Sequence, residues 1–168
     1  MSYGGFFAVG EARVFETYLM PPFLLRRAFE AEKYSDAMNI VKSGSFGRLL
    51  NEKESDFGLG GFLKNMAASF AEVSQEPNAF TLNQTKFVKF LKACGNEPAG
   101  KILSVLRGSR DPFEFYGFLY EERRKRLGRI EGFDVLLFVW LSLWWQTRLV
   151  RMILSSKKKG VKVKDVSG

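Results

Sequence analysis

The sequence predicts an all-α fold, a single helical domain over residues 1–160 built around one long C-terminal helix, with a basic tail at 161–168. Three observations predict it. Apolar residues recur at three- and four-residue intervals through most of the chain. Prolines, Asp or Thr caps and terminal glycines bracket those stretches. Alternating strand patterns are confined to 80–82 and 161–166.

The glycines come first in chain order. "GGFFAVG" at 4–10 and "GLGG" at 58–61 match neither the dinucleotide fingerprint nor a phosphate loop, and they read as turns and helix starts. Pro21 and Pro22 interrupt the chain and start a helix through Leu24, Leu25 and Phe29. Shorter helices follow over 34–43 and 46–52. From 57 to 73, Leu59, Phe62, Leu63, Met66, Phe70 and Val73 share one helical face. Thr81 and Gln84 have capping-box spacing, Phe87, Phe90 and Leu91 mark the buried stripe, and Gly95 ends that helix. "NEPAGKILSVLRG" has Pro98 in its first turn and Gly108 beyond its end. "DPFEFYGFLYEERRKRLG" opens with Asp111 as cap and Pro112 at the first helical position, and stops at Gly128.

The last helix carries the most apolar run, "VLLFVWLSLWW" at 135–145. Its 11 residues fall short of the roughly 20 that a bilayer span needs. Arg148 and Arg151 on one side, and Asp134, Glu131 and Arg129 on the other, block its extension. An Arg at mid-membrane costs roughly 2.5 kcal/mol or more. A helix apolar on every side is instead buried on every side. The reading is a rod of about 25 residues over 133–157, with the other helices packed around it. Beyond Gln146 it turns amphipathic: Leu149, Met152 and Ile153 stay with the core. Trp140, Trp144 and Trp145 all lie on the rod and are read as core, with an exposed Trp as a partner anchor the alternative.

Composition excludes several chemistries. The chain has no His and a single Cys, Cys94. Common zinc sites, Ser-His-Asp triads and Cys-His dyads are therefore excluded. One Cys makes no internal disulfide, which fits a reducing compartment, and Cys94 reads as a small packing residue. Residues 1–20 contain Glu11, Arg13 and Glu16 and do not read as a secretory signal. The chain is expected in the cytoplasm. Paired carboxylates such as Glu30 and Glu32, Glu52 and Glu54, or Glu121 and Glu122 lack the spacing of a buried acid/base pair. No catalytic, cofactor or metal residues are assigned. An enzyme built on carboxylates alone stays a separate hypothesis.

Charge is the positive signal. The net charge is +8, and from Arg123 onward 12 Lys/Arg face three Asp/Glu. The basic residues Arg123, Arg124, Lys125, Arg126, Arg151, Lys157, Lys158 and Lys159 are the candidate interface with an anionic partner. A solvated basic surface is the plain alternative. Nucleic acid is another, as for a replication accessory module. However, the aromatics precede the basic run and sit at core spacing rather than interleaving with it.

Two stretches together resemble the C/d family of central-stalk proteins in the V/A-type ATPases (ATP synthases). "EARVFETYLMPPFLLRRAFEAEKYSDAMNIVKSGSFGRLL", residues 11–50, is similar to that family's opening. There "N-A-R-V" leads through a Leu-rich turn and a helix to a phrase ending in Tyr/Phe-Gly. Ala12, Arg13 and Val14 match, Glu11 replaces Asn, and Phe46-Gly47 fit the closing pair. "FDVLLFVWLSLWWQTRLVRMILSSKKKG" resembles the family's final helix, which ends in "E-x-x-x-L-R-x-I", a Lys and a Gly. Gln146 stands where the family has Glu, while Arg148, Leu149, Arg151, Ile153, Lys157 and Gly160 fit the phrase. The family builds three similar helical lobes from a chain about twice as long, so the resemblance implies a single-lobe version. It also implies a non-catalytic adaptor, without cofactor, peripheral to the membrane, between the other central-stalk proteins and the membrane rotor ring. The basic groups would then face an acidic shaft protein or anionic lipid headgroups.

Overall fold

The computed structural model describes residues 3–51, 96–129 and 134–158. They form seven helices, and no strand occurs among the described residues. In chain order these are α1 (Tyr3–Glu16), α2 (Pro22–Glu30), α3 (Tyr34–Lys42), α4 (Phe46–Asn51), α5 (Asn96–Gly108), α6 (Pro112–Leu127) and α7 (Asp134–Lys158). The all-α class is what the sequence predicts. The helices expected over 57–73 and from Thr81, the short strand candidates and the tail at 161–168 lie outside the described residues.

α7 is one unbroken helix of 25 residues. From Val135 to Leu143 every side chain is buried, so the apolar run is wrapped on all sides. The buried hydroxyls of this helix are satisfied within it: Ser142 Oγ donates to the Phe138 carbonyl at 2.7 Å, and Thr147 Oγ1 to that of Leu143 at 2.8 Å. No helix among the described residues is long and apolar enough to cross a membrane.

Two cores share this rod. Around its first half, α1 supplies Val9, Ala12 and Phe15, α5 supplies Ala99 and Ile102, and α6 supplies Phe115 and Leu119. Around its second half, Leu25 and Ala28 of α2, Ala37 and Val41 of α3, Phe46 of α4, and Phe113 and Tyr116 of α6 surround Leu149, Val150 and Ile153. α6 therefore lies antiparallel to α7. Its start meets the end of the rod, and Arg126 near its end reaches Asp134 at the rod's start.

Local signals account for the helix ends. Asp111 Oδ1 accepts from the Phe113 amide at 2.7 Å, and Pro112 opens α6. α2 begins at Pro22 and stops where Ala31 turns extended. Its orphan carbonyls are capped from another helix. Lys157 Nζ donates to the Phe29 carbonyl at 2.8 Å and also to that of Ala31. In the first turn of α4, a Cβ on Gly47 would lie 2.6 Å from both Cα and the carbonyl oxygen of Lys42, so only glycine fits.

At 4–10, read as turns and helix starts, the chain is helical throughout, as the opening of α1. Three glycines in its first eight residues weaken its helix propensity, each by about 1 kcal/mol against Ala. The stripe Val9, Ala12 and Phe15 buries against the rod and overrides that penalty.

Candidate functional site

Three places concentrate polar or aromatic chemistry, and α7 takes part in all of them.

The first is a buried node at the middle of the rod. Gln146 is fully buried. Its Oε1 accepts from the Met20 amide at 2.7 Å, and its Nε2 donates to the Tyr18 carbonyl at 3.0 Å. These partners fix the amide's orientation, since a flip would set donor against donor. The Tyr116 hydroxyl lies 2.5 Å from the Met20 carbonyl and 2.8 Å from Gln146 Oε1, and shares its single proton between them. Burial, then the neighbouring Tyr120, raises the Tyr116 pKa well above its ordinary value, so it stays a neutral donor. The node ties the link between α1 and α2 to both α6 and α7.

The second is an ion cluster where α5, α6 and α7 meet. Arg126 is only 2% exposed. Its guanidinium bonds Asp134, Glu97 at 2.8 Å and, more distantly, Glu122 at 3.4 Å. It also stacks over the Phe138 ring, 4.4 Å from the centroid. Arg129 bonds Asp134 at 2.8 Å, and Lys101 lies 3.2 Å from Glu122. Burial alone would raise the Glu122 carboxyl. Lys101, Arg126 and Lys125 outweigh it and hold the pKa below its ordinary value. Burial likewise opposes the charge on Arg126, while Glu97 and Asp134 overcome it and raise its pKa. Beside this cluster Arg123, also buried, bonds Glu16 of α1 at 2.6 Å.

This cluster corrects the expected interface. Arg123 and Arg126 belong to the interior and are neutralised by carboxylates from three other helices. The register explains it: Phe115, Leu119, Glu122 and Arg126 follow four-three-four spacing, so the buried stripe of α6 runs on into charged residues. Arg124 and Lys125 are exposed, but each lies near an acid of its own helix, Glu121 at 3.4 Å and Glu122 at 3.6 Å. Lys157 is half-buried and engaged in capping α2. Lys159 lies outside the described residues.

The third is the outer face of α7. Arg148, Arg151, Ser155 and Lys158 are exposed and fall on one side at three-four-three spacing. Neither Arg151 nor Lys158 has an ion-pair partner among the described residues. At the inner end, the Trp140 and Trp144 rings stack at 6.0 Å and 7°. Arg148 lies over Trp144 at 4.9 Å and Trp145 at 5.7 Å. Trp145 Nε1 donates to the Pro112 carbonyl at 2.8 Å. Trp140 is core, as expected, while Trp144 and Trp145 are half-buried. A pocket of about 180 Å³ between Trp145, Phe115, Leu106 and Arg110 adjoins them. Among the described residues, no group of three or more acidic or cysteine side chains is placed to hold a metal ion.

No family model matches this chain, and neither a curated protein nor a solved structure shows significant similarity to it.

Proposed function

We propose that this chain is a non-catalytic central-stalk adaptor of a V/A-type ATPase, coupling the soluble rotor shaft to the membrane rotor ring. It works at the cytoplasmic side, peripheral to the membrane. Its role is mechanical: a stiff helical body holds two partners in register while ATP chemistry proceeds elsewhere in the complex.

One observation carries the reading. The two stretches that resemble the C/d family are far apart in sequence but bound directly to each other. Gln146, at the position where that family has Glu, takes a hydrogen bond from Met20 and gives one to Tyr18. Both lie in the Leu-rich turn of the opening phrase. Phe46, of the closing Phe-Gly pair, joins the same core as Leu149 and Ile153 of the final phrase. The two phrases thus pack as parts of one body. A long rod with its helices pinned by buried hydrogen bonds and ion pairs suits the transmission of torque, because such networks resist shear.

The test is purification of the intact ATPase from native membranes through a tagged copy of this chain. The reading expects stalk and rotor-ring proteins to be recovered in fixed proportion. Recovery of the chain with no ATPase component, or with nucleic acid instead, overturns it.

A further inference from the structure

The charges of this molecule divide into two sets. On α6 the basic residues are matched: Arg123, Arg124, Lys125 and Arg126 each lie within 4 Å of a carboxylate. On α7 they are not. From Arg148 to Lys158 the helix has no acidic residue, and its exposed positions are Arg148, Arg151, Ser155 and Lys158. They form a single file about 15 Å long. Arg148 lies over the Trp144 and Trp145 rings, so one end of the file rests on an aromatic pair.

We propose that this file is a docking track for one acidic α-helix of a protein partner. The proposal rests on the adaptor reading for supposing that the chain docks on protein. It adds the surface, and the chemistry that surface recognises. A helix with carboxylates at three- and four-residue spacing repeats the same period, so several charge pairs form at once. Such pairs at a rim set register and encounter rate more than affinity.

An anionic membrane fits the surface less well. Helices that lie on bilayers insert an apolar face, and none of the four exposed positions here is apolar.

The test uses the full chain and a labelled alanine-based helical peptide of about 20 residues with Glu at three-four-three spacing. Binding is followed by fluorescence anisotropy and by quenching of the tryptophans. Vesicles of phosphatidylcholine with phosphatidylserine, and a DNA duplex, are run beside it. The wild-type chain should bind the peptide, more weakly as salt rises. Replacing Arg148, Arg151 and Lys158 together by Gln should raise the Kd about tenfold. The Arg151→Gln/Lys158→Gln pair, which leaves the tryptophans covered, should give part of that loss. Arg124→Gln/Lys125→Gln should change nothing. Equal binding by wild type and the triple variant overturns the track, as does equal loss in the α6 control. Binding to vesicles or duplex through these residues, with no peptide bound, overturns it too. Purification of the chain without ATPase components sinks the adaptor reading alone, so the two failures are distinguishable.

Discussion

Gly47 has no room for a methyl group, because the Lys42 carbonyl and Cα occupy its place. Gly47→Ala should therefore push α3 from α4 and cost about 1–3 kcal/mol, read as a lower midpoint in urea. Gln146 is the other decisive side chain. Gln146→Leu strands the buried Met20 amide, at about 1–3 kcal/mol, and removes the bond to the part-buried Tyr18 carbonyl. Gln146→Glu is more informative, because it introduces the residue that the resembling family has at this position. An ionised carboxylate would set an oxygen against the Tyr18 carbonyl, now 3.0 Å from Nε2. Burial and that carbonyl raise the folded-state pKa of such a Glu. Its stability is then fully present below the unfolded value of about 4.3 and lost as pH rises through the folded one. The variant should unfold more easily at pH 7 than at pH 4.5, measured against wild type at each pH. Tyr116 shows the same sign at the other end of the scale. Its raised pKa means that the unfolded chain ionises first, so stability should fall as pH rises above about 10. Tyr116→Phe should flatten that fall.

Elements divide according to how local their signals are. α6 was legible residue by residue, since Asp111, Pro112 and Gly128 act on their own backbone neighbours. The rod was legible too: an 11-residue apolar run has to be surrounded, whatever surrounds it. α1 was not, because its glycines speak locally against a helix and only its contact with α7 offsets them. The ion cluster was half legible. Glu122 and Arg126 carry four-residue spacing in the sequence, but Glu97, Glu16 and Asp134 arrive from other helices. A run of basic residues looks like a surface until its register on the helix is set against the apolar stripe. The Gln146 node was invisible for the same reason, its partners being backbone atoms 126 and 128 residues away. At this scale Arg126→Met should cost about 1–3 kcal/mol, because Glu122 and Asp134 lose their buried partner and keep only Lys101, Lys125 and Arg129, which are more exposed. Glu122 has a depressed pKa, so the stability it contributes is present above its unfolded value and lost as pH falls through the folded one. The cluster should loosen in acid, and the stability gap between wild type and Arg126→Met should narrow as pH falls below the unfolded Glu value of about 4.3. Denaturant titrations at pH 7 and pH 3.5 check both points.

On the scale of the whole molecule, one helix organises everything described. α7 contributes to both cores, receives the Gln146 and Arg126 networks, caps α2 through Lys157, and turns one basic file outward. Such a shared axis suits the mechanical role proposed above. The most direct measurement uses ATPase-containing membrane vesicles from cells with and without this chain. ATP hydrolysis and ATP-driven ion uptake are followed in the same preparation. The account predicts that loss of the chain leaves hydrolysis in place and abolishes ion uptake, and that adding the purified protein back restores it. Ion uptake that persists without the chain would contradict the account.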